Sequence, residues 1–163
     1  MRLSITLIAL CLIAAPALRA EEKPATRPVN GAPVKDQVTL EKEFAEMLTN
    51  AQMTGSFTSG KEADAKQDQY TIIKAVKGEG EDWVVTAQIS YKGYSLPMDI
   101  SVQVKWAGDT PVICVTNKKI PGFGTFTARV MFYGKQYAGT WDGGNHGGLM
   151  YGRIEKLTPP EKK

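Results

Sequence analysis

Asp142 and His146 are the two residues whose types and spacing come closest to a reaction mechanism. They flank a glycine-containing turn, and His146 is the one histidine of the 163-residue chain. Imidazole titrates near neutral pH, so a carboxylate beside it can support general base catalysis. A small hydrolase centred on Asp142 and His146 is therefore one hypothesis, and Tyr151 or Arg153 would have to supply its third polar group.

The sequence does not complete that mechanism. No serine, cysteine or second carboxylate is placed beside the pair, and a zinc site needs three or four ligands. The glycine-rich residues 147–152 precede no helix start that could receive a phosphate. A loop residue that tolerates unusual backbone angles is the competing interpretation of His146. We therefore predict no catalytic residue, no metal site and no cofactor, and a protein that is not an enzyme.

Aromatic residues offer binding rather than catalysis. All 14 of them lie between Phe44 and Tyr151. Phe123, at a glycine-flanked turn, has two open interpretations: a contact point for a partner or a glycan, or a cap that folds back onto the domain. The candidate ligand-binding residues are Trp106, Phe123, Tyr137, Trp141, His146, Tyr151 and Arg153.

A ladder of eight β-like segments between Met53 and Lys156 must position these residues. In the clearest segment, Leu96 to Trp106, apolar and polar residues alternate strictly, which indicates one dry and one wet face. Closure removes the unpaired edges of such a sheet. We predict an all-β, antiparallel up-and-down meander of about eight strands forming a small barrel. Eight strands enclose either side chains or one small ligand, and we expect a mostly filled barrel with any ligand at one mouth.

One amphipathic α-helix is predicted ahead of the sheet, over residues 39–52, with Thr39 as its N-cap. It either plugs one end of the barrel or packs on its wall. The apolar residues that recur at helical spacing are Leu40, Phe44, Met47, Leu48 and Ala51.

The N-terminal residues have the pattern of a secretory signal. Arg2 precedes a short apolar run, and cleavage after Ala17 or Ala20 is indicated. We expect a secreted or periplasmic protein with no integral membrane span after cleavage. The predicted division is a signal peptide over residues 1–20, a flexible linker over 21–38, a single barrel domain with its helix over 39–156, and a disordered tail over 157–163.

Charge and cysteine content set further limits. Cleavage after Ala20 removes Arg2 and Arg19, which leaves 18 basic against 17 acidic residues. A chain so close to neutral has no field that attracts nucleic acid, and we predict no such partner. Cys114 is then the one cysteine left. It is either a buried small hydrophobe or an exposed thiol that pairs two chains.

Gly139-Thr140-Trp141 resembles the G-x-W signature of lipocalins and the G-T-W of avidin-like barrels, although those families carry it in the first strand. In lipocalins the tryptophan closes the barrel floor under an arginine. The resemblance therefore implies that Trp141 lies in the floor and that Arg153 covers it.

A wider pattern resembles small secreted proteins of planctomycete-type bacteria. It comprises residues 105–112, 120–126 and 137–141, with Gly147-Gly148 and residues 150–152. The resemblance implies secretion and a lipocalin-like shape, and it implies no particular reaction. The sequence thus predicts a secreted, non-enzymatic barrel. It binds either a small apolar or aromatic ligand or an envelope partner, and a filled interior would favour the partner.

Overall fold

The computed structural model describes residues 35–60, 64–91, 94–122 and 124–157. The predicted signal peptide, the predicted linker up to residue 34, Phe123 and the tail from residue 158 lie outside the described residues. The elements in chain order are α1 (Gln37–Leu48), β1 (Ala51–Phe57), β2 (Lys66–Lys77), β3 (Asp82–Tyr91), β4 (Tyr94–Ala107), β5 (Thr110–Ile120), β6 (Gly124–Tyr133), β7 (Gln136–Asp142) and β8 (Gly147–Lys156).

The eight strands form a closed antiparallel barrel in which each strand pairs with its neighbours in sequence. β1 pairs with β2 on one side and with β8 on the other, which closes the sheet and leaves no strand edge free. The sequence prediction of an eight-stranded up-and-down barrel preceded by one helix is confirmed. The barrel follows from the alternation of apolar and polar residues along the strands, because every second side chain faces the interior.

α1 closes the end of the barrel at which β1 begins, which we call the helix end. Leu40, Phe44 and Leu48 lie on one helix face and are buried. The Phe44 ring meets the rings of Trp83 and Phe132 edge to face, with centroids 5.4 Å apart in both pairs. The helix therefore caps the barrel like a plug, which is one of the two placements that the sequence allowed.

The predicted bounds of the helix were wrong at both ends. Asp36, not Thr39, is the N-cap, and its Oδ1 atom accepts the Thr39 N–H at 2.8 Å. The helix ends at Leu48 because Asn50 takes a left-handed φ of 52° and Ala51 already pairs with β2 and β8. A carboxylate three residues ahead of an unpaired N–H is the better cap. It also means that the helix starts inside the predicted linker.

The interior at the helix end is densely filled. Trp83, Phe132, Leu48 and Val104 are the largest fully buried side chains. At the opposite end, which we call the far end, the turn over residues 143–146 joins β7 to β8. The buried core residues are Leu40, Phe44, Leu48, Ala51, Met53, Ile72, Ala75, Trp83, Val85, Ala87, Val102, Val104, Val130, Phe132, Tyr137 and Ile154.

Candidate functional site

The predicted site residues that the structure describes lie in three separate places. Trp106 is at the helix end. Tyr137, Trp141 and His146 belong to the barrel interior and the far end. Tyr151 and Arg153 lie on the outer wall. No single site unites these described residues.

At the helix end, a cleft of about 260 Å³ opens between α1 and the rim of the barrel formed by β4, β5 and β6. It exists because the helix backbone lies closest to β2 and β8, on the other side of the mouth. We call it the helix-end cleft. It is lined by Lys35, Leu40, Glu43, Phe44, Met47, Trp106, Asp109, Pro111, Phe132, Tyr133 and Gly134.

Aromatic rings form much of the helix-end cleft. Phe44 meets Trp106 edge to face, with centroids 6.0 Å apart and ring planes at 78°. It meets Phe132 at 5.4 Å and 64°. Trp106 is half-buried and Tyr133 is exposed, so both rings are open to an incoming molecule. Phe44 and Phe132 are almost inaccessible, so the rings that a molecule can reach in the cleft are those of Trp106 and Tyr133.

Three charged side chains line the same cleft. The Lys35 Nζ atom contacts both carboxylate oxygens of Glu43 at 2.7 Å, so these two charges neutralise each other. Asp109 is exposed, and its Oδ1 atom accepts the Thr110 hydroxyl at 3.1 Å. The lining therefore carries one net negative charge, located at Asp109.

Trp141 lies at the far end and is half-buried. Its Nε1–H donates to the Thr58 carbonyl oxygen at 3.1 Å. Its ring meets Phe57 at 5.8 Å and His146 at 5.3 Å, both edge to face. The far end thus has its own aromatic cluster, and α1 does not cover it.

The implied cover of Trp141 by Arg153 was wrong. Trp141 pairs with Gly148, whereas Arg153 pairs with Gln136 near the helix end of β7. The Arg153 side chain lies on the outer wall, is 69% exposed and bonds Glu155 at 2.9 Å. The residues share neighbouring strands, but the register separates them along the barrel and the alternation puts them on opposite faces.

The Tyr137 side chain lies inside the barrel, and its hydroxyl group packs against two glycines of the wall. Gly55 and Gly152 are register partners, and the Tyr137 Oη atom is 2.6 and 2.7 Å from where their Cβ atoms would be. Burial, and then the charge of Asp68, raise the pKa of Tyr137. Burial and Asp68 also raise the pKa of Tyr70 on β2. The middle of the barrel therefore holds two neutral tyrosines beside one carboxylate.

Asp142 and His146 are both exposed, and their hydrogen bonds stabilise the turn between β7 and β8. The Asp142 Oδ1 atom accepts the Gly144 N–H at 2.6 Å, and the His146 carbonyl oxygen accepts the Gly143 N–H at 2.8 Å. Among the residues that the structure describes, no hydrogen bond joins the two side chains. Within the same ranges, no three His, Cys, Asp or Glu residues gather in a metal-binding group.

The outer wall carries a groove of about 760 Å³, which we call the outer-wall groove. Sequence reasoning found Tyr151 and Arg153 but missed Met131 and Tyr133 on β6. Period-two alternation was the signal, because Val130 and Phe132 are buried and their neighbours must face outwards. The lining residues are Thr54, Gly55, Ser56, Gln67, Thr110, Met131, Tyr133, Gln136, Tyr137, Ala138, Tyr151, Gly152 and Arg153.

Cys114 also belongs to the outer wall. It pairs with Gln103 and Arg129, both exposed, and is itself half-buried. Its Sγ atom lies 3.7 Å from the Val112 carbonyl oxygen.

The chain matches no family model, no curated protein and no solved structure. In the part of the chain that the structure describes, no helix has the length and apolar character needed to cross a membrane. The geometry of the three regions is therefore the basis for inferring a function.

Proposed function

We propose that this protein is a secreted, non-enzymatic barrel that binds a small apolar or aromatic ligand in the helix-end cleft. The observation that carries the proposal is that α1 is not centred over the mouth of the barrel. The helix packs towards β2 and β8 and leaves a cleft against the β4–β6 rim, lined by apolar and aromatic residues together with three charged side chains. Small-molecule sites are typically concave and mostly apolar, with few polar groups.

The filled core beneath the cleft supports a site at the mouth. Phe44, Trp83 and Phe132 occupy the interior directly below α1, with exposures of 3%, 1% and 2%. A ligand would therefore rest on this core and against Trp106, and it would not enter the barrel. Secretion remains an expectation from the apolar N-terminal run and its cleavage pattern.

The hydrolase alternative lacks a supporting arrangement. A general base must reach a nucleophile or water that a third group positions. Asp142 and His146 are exposed, and their hydrogen bonds to Gly144 and Gly143 hold a turn. We therefore keep the binding proposal as the leading one.

The test uses a neutral aromatic probe, 4-fluorobenzyl alcohol, observed by ¹⁹F NMR. We expect its resonance to broaden on addition of the protein, and Trp106→Ala to remove the broadening because the open ring of the cleft is lost. Trp106→Phe should retain part of it and controls for altered folding. Tyr151→Ala, on the outer wall, is the matched control and should broaden the probe like the wild type. Equal broadening with Trp106→Ala would contradict the proposal.

The outer-wall groove favours a second candidate function, attachment to an envelope protein. Met131, Tyr133 and Tyr151 line it with exposures of 46%, 68% and 50%, an unusual concentration of large apolar side chains on open surface. A photo-crosslinking amino acid at position 151 should give a discrete adduct in the native envelope, whereas one at Gln103, on the exposed face of β4, should not. Adducts at neither position, or equally at both, would remove this candidate.

A further inference from the structure

We infer that the outer-wall groove binds a proline-rich segment of a partner protein in the polyproline II conformation. The inference rests on the second candidate function, attachment to an envelope protein, because it names the kind of segment that the groove would accept. Tyr133 lines both the groove and the helix-end cleft, whereas Tyr151 lines the groove and not the cleft. The two sites can therefore be tested separately through Tyr151.

The side chains that line the groove form two rows that cross the strands. Each row contains register partners from β8, β7 and β6: Tyr151, Ala138 and Met131 in one, and Arg153, Gln136 and Tyr133 in the other. Ser56 and Thr54 of β1 extend the two rows. The rows are two residues apart along every strand, which separates them by about 7 Å. The lining is therefore long across the strands and narrow along them.

Large open side chains recur in this lining at a spacing that fits polyproline II. Tyr151 and Met131 are both about half exposed, and their strands lie two strand spacings apart, or about 9.5 Å. One turn of polyproline II has three residues and rises about 9.3 Å. The short Ala138 side chain lies between the two large ones and leaves a gap. Every third residue of such a segment would therefore contact a large side chain.

Other peptide conformations fit the groove poorly. The described barrel is closed, so it offers no free strand edge for an added strand. A helix with its side chains is about 10–12 Å wide, which exceeds the separation of the two rows. Among the described residues of the lining, Arg153 alone is charged, and its Nε atom lies 2.9 Å from a Glu155 carboxylate oxygen. An acidic or phosphorylated motif would therefore meet no unpaired cation in this lining.

The polar groups of the lining suit a ligand that accepts hydrogen bonds. Gln136 and Tyr151 line the groove, and their side chains make no hydrogen bond within the part of the chain that the structure describes. The described lining also contains no carboxylate, the charged acceptor for ligand N–H or O–H groups. Polyproline II carbonyl groups have no internal partners, and proline has no N–H to donate. The lining therefore favours a proline-rich peptide over a glycan, whose hydroxyl groups donate as well as accept.

The test is fluorescence anisotropy with a fluorescein-labelled nonaproline, compared with a flexible glycine-serine peptide of the same length. We expect the nonaproline to bind about tenfold more tightly or better, because its conformation is already formed. Tyr151→Ala should weaken nonaproline binding about tenfold, since an open ring is lost. Gln136→Ala should weaken it about fivefold, since a hydrogen-bond donor is lost.

Two further variants separate binding from folding. Tyr151→Phe keeps the ring and should retain most of the affinity for nonaproline. Leu96→Ala removes an exposed apolar side chain outside the groove and should leave that affinity unchanged. Thermal unfolding of Tyr151→Ala should match the wild type, because the side chain is half exposed on the outer wall.

Each other outcome overturns a defined part of the inference. Equal binding of the two peptides would refute the polyproline II conformation, and wild-type affinity of Tyr151→Ala would refute the groove as the site. Binding of neither peptide would refute the inference, while 4-fluorobenzyl alcohol still reports on the helix-end cleft. Tyr151-dependent binding of cellohexaose, with none of nonaproline, would assign the groove to a glycan. Nonaproline binding without a discrete photo-adduct at position 151 would contradict the envelope source and leave the peptide class in place.

Discussion

The two ends of the barrel carry similar aromatic residues and very different burial. At the helix end, Phe44 is packed between Trp83 and Phe132, and all three are almost inaccessible. At the far end, Trp141 contacts Phe57 and His146 with the same edge-to-face geometry, yet it is only half-buried. The difference is α1, which covers one end and not the other. The burial of these aromatic side chains therefore depends on whether α1 covers them and not on their residue type.

The comparison also explains where a ligand site can form. A helix that covered its end completely would leave no cleft, and at the far end α1 supplies no apolar wall. α1 covers its end incompletely, because its backbone lies closest to β2. The helix end therefore combines a rigid core with an opening at its edge. The following substitutions test this difference between the two ends.

Removing the tryptophan of the helix end should have the largest effect. Trp83→Ala leaves a cavity beneath α1 and should lower the free energy of unfolding by about 3–5 kcal/mol. Urea denaturation followed by circular dichroism measures it. A loss no greater than that of Trp141→Ala would contradict the distinction between the two ends. Trp83→Phe keeps a ring beside Phe44 and should show a smaller loss, which guards against a variant that fails to fold.

The barrel wall between the two ends should have no room for a side chain at Gly55. A Cβ atom there would overlap the Tyr151 carbonyl oxygen and crowd the Tyr137 hydroxyl. Gly55→Ala should therefore cost about 1–3 kcal/mol, the usual range for overpacking. Chemical denaturation is again the measurement, and Ser56→Ala, the next residue on β1, is the control and should change little. Comparable stability of the two variants would mean that β1 and β8 are not in such close contact.

Truncation at the far end should cost less than at the helix end. Trp141→Ala loses part of one apolar ring and the hydrogen bond to Thr58, together about 2 kcal/mol. The protein should remain folded, which thermal unfolding checks. A variant that unfolds or aggregates would show that Trp141 closes a barrel floor after all.

Arg153→Ala should leave stability within about 0.5 kcal/mol of the wild type, because its ion pair is exposed.

A further prediction concerns the pH dependence of stability. Burial and Asp68 raise the pKa of Tyr70, so the folded protein holds its phenol proton more tightly than the unfolded chain does. This stabilisation is complete below about pH 10, the ordinary tyrosine pKa, and is lost as pH rises further. The loss is at most about 1.4 kcal/mol per pH unit for this group. Tyr70→Phe should lose less stability between pH 9 and 11 than the wild type. Identical pH profiles would contradict the assignment.

The fold could be predicted from the sequence because period-two alternation persists through whole strands such as β4. The same alternation placed Tyr137 and Trp141 together on the inner face. It did not give their neighbours, because alternation specifies the face of a residue and not its position along the next strand. Arg153 illustrates the limit: its face follows from Ile154 being buried, whereas its distance from Trp141 required the register.

The helix-end cleft was less accessible to sequence reasoning. Trp106 was selected as an aromatic residue of a strand, and a ligand at one mouth was expected. The involvement of Met47 and Asp109 depends on how α1 sits over the barrel, which no local pattern encodes. Helical periodicity gave the buried face of α1, with Phe44 at its centre, but not the direction in which the helix leans.

The three tryptophans allow one direct test of the central claim, that the ligand site lies at the helix end and outside the filled barrel. Trp106 lines the cleft, Trp83 lies in the core beneath it and Trp141 lies at the far end. Each indole N–H gives its own signal in a ¹⁵N–¹H spectrum, assigned by single substitutions to phenylalanine. On titration with 4-fluorobenzyl alcohol, the Trp106 signal should shift most and the Trp141 signal should stay in place. A shift at Trp141 with none at Trp106 would contradict the account.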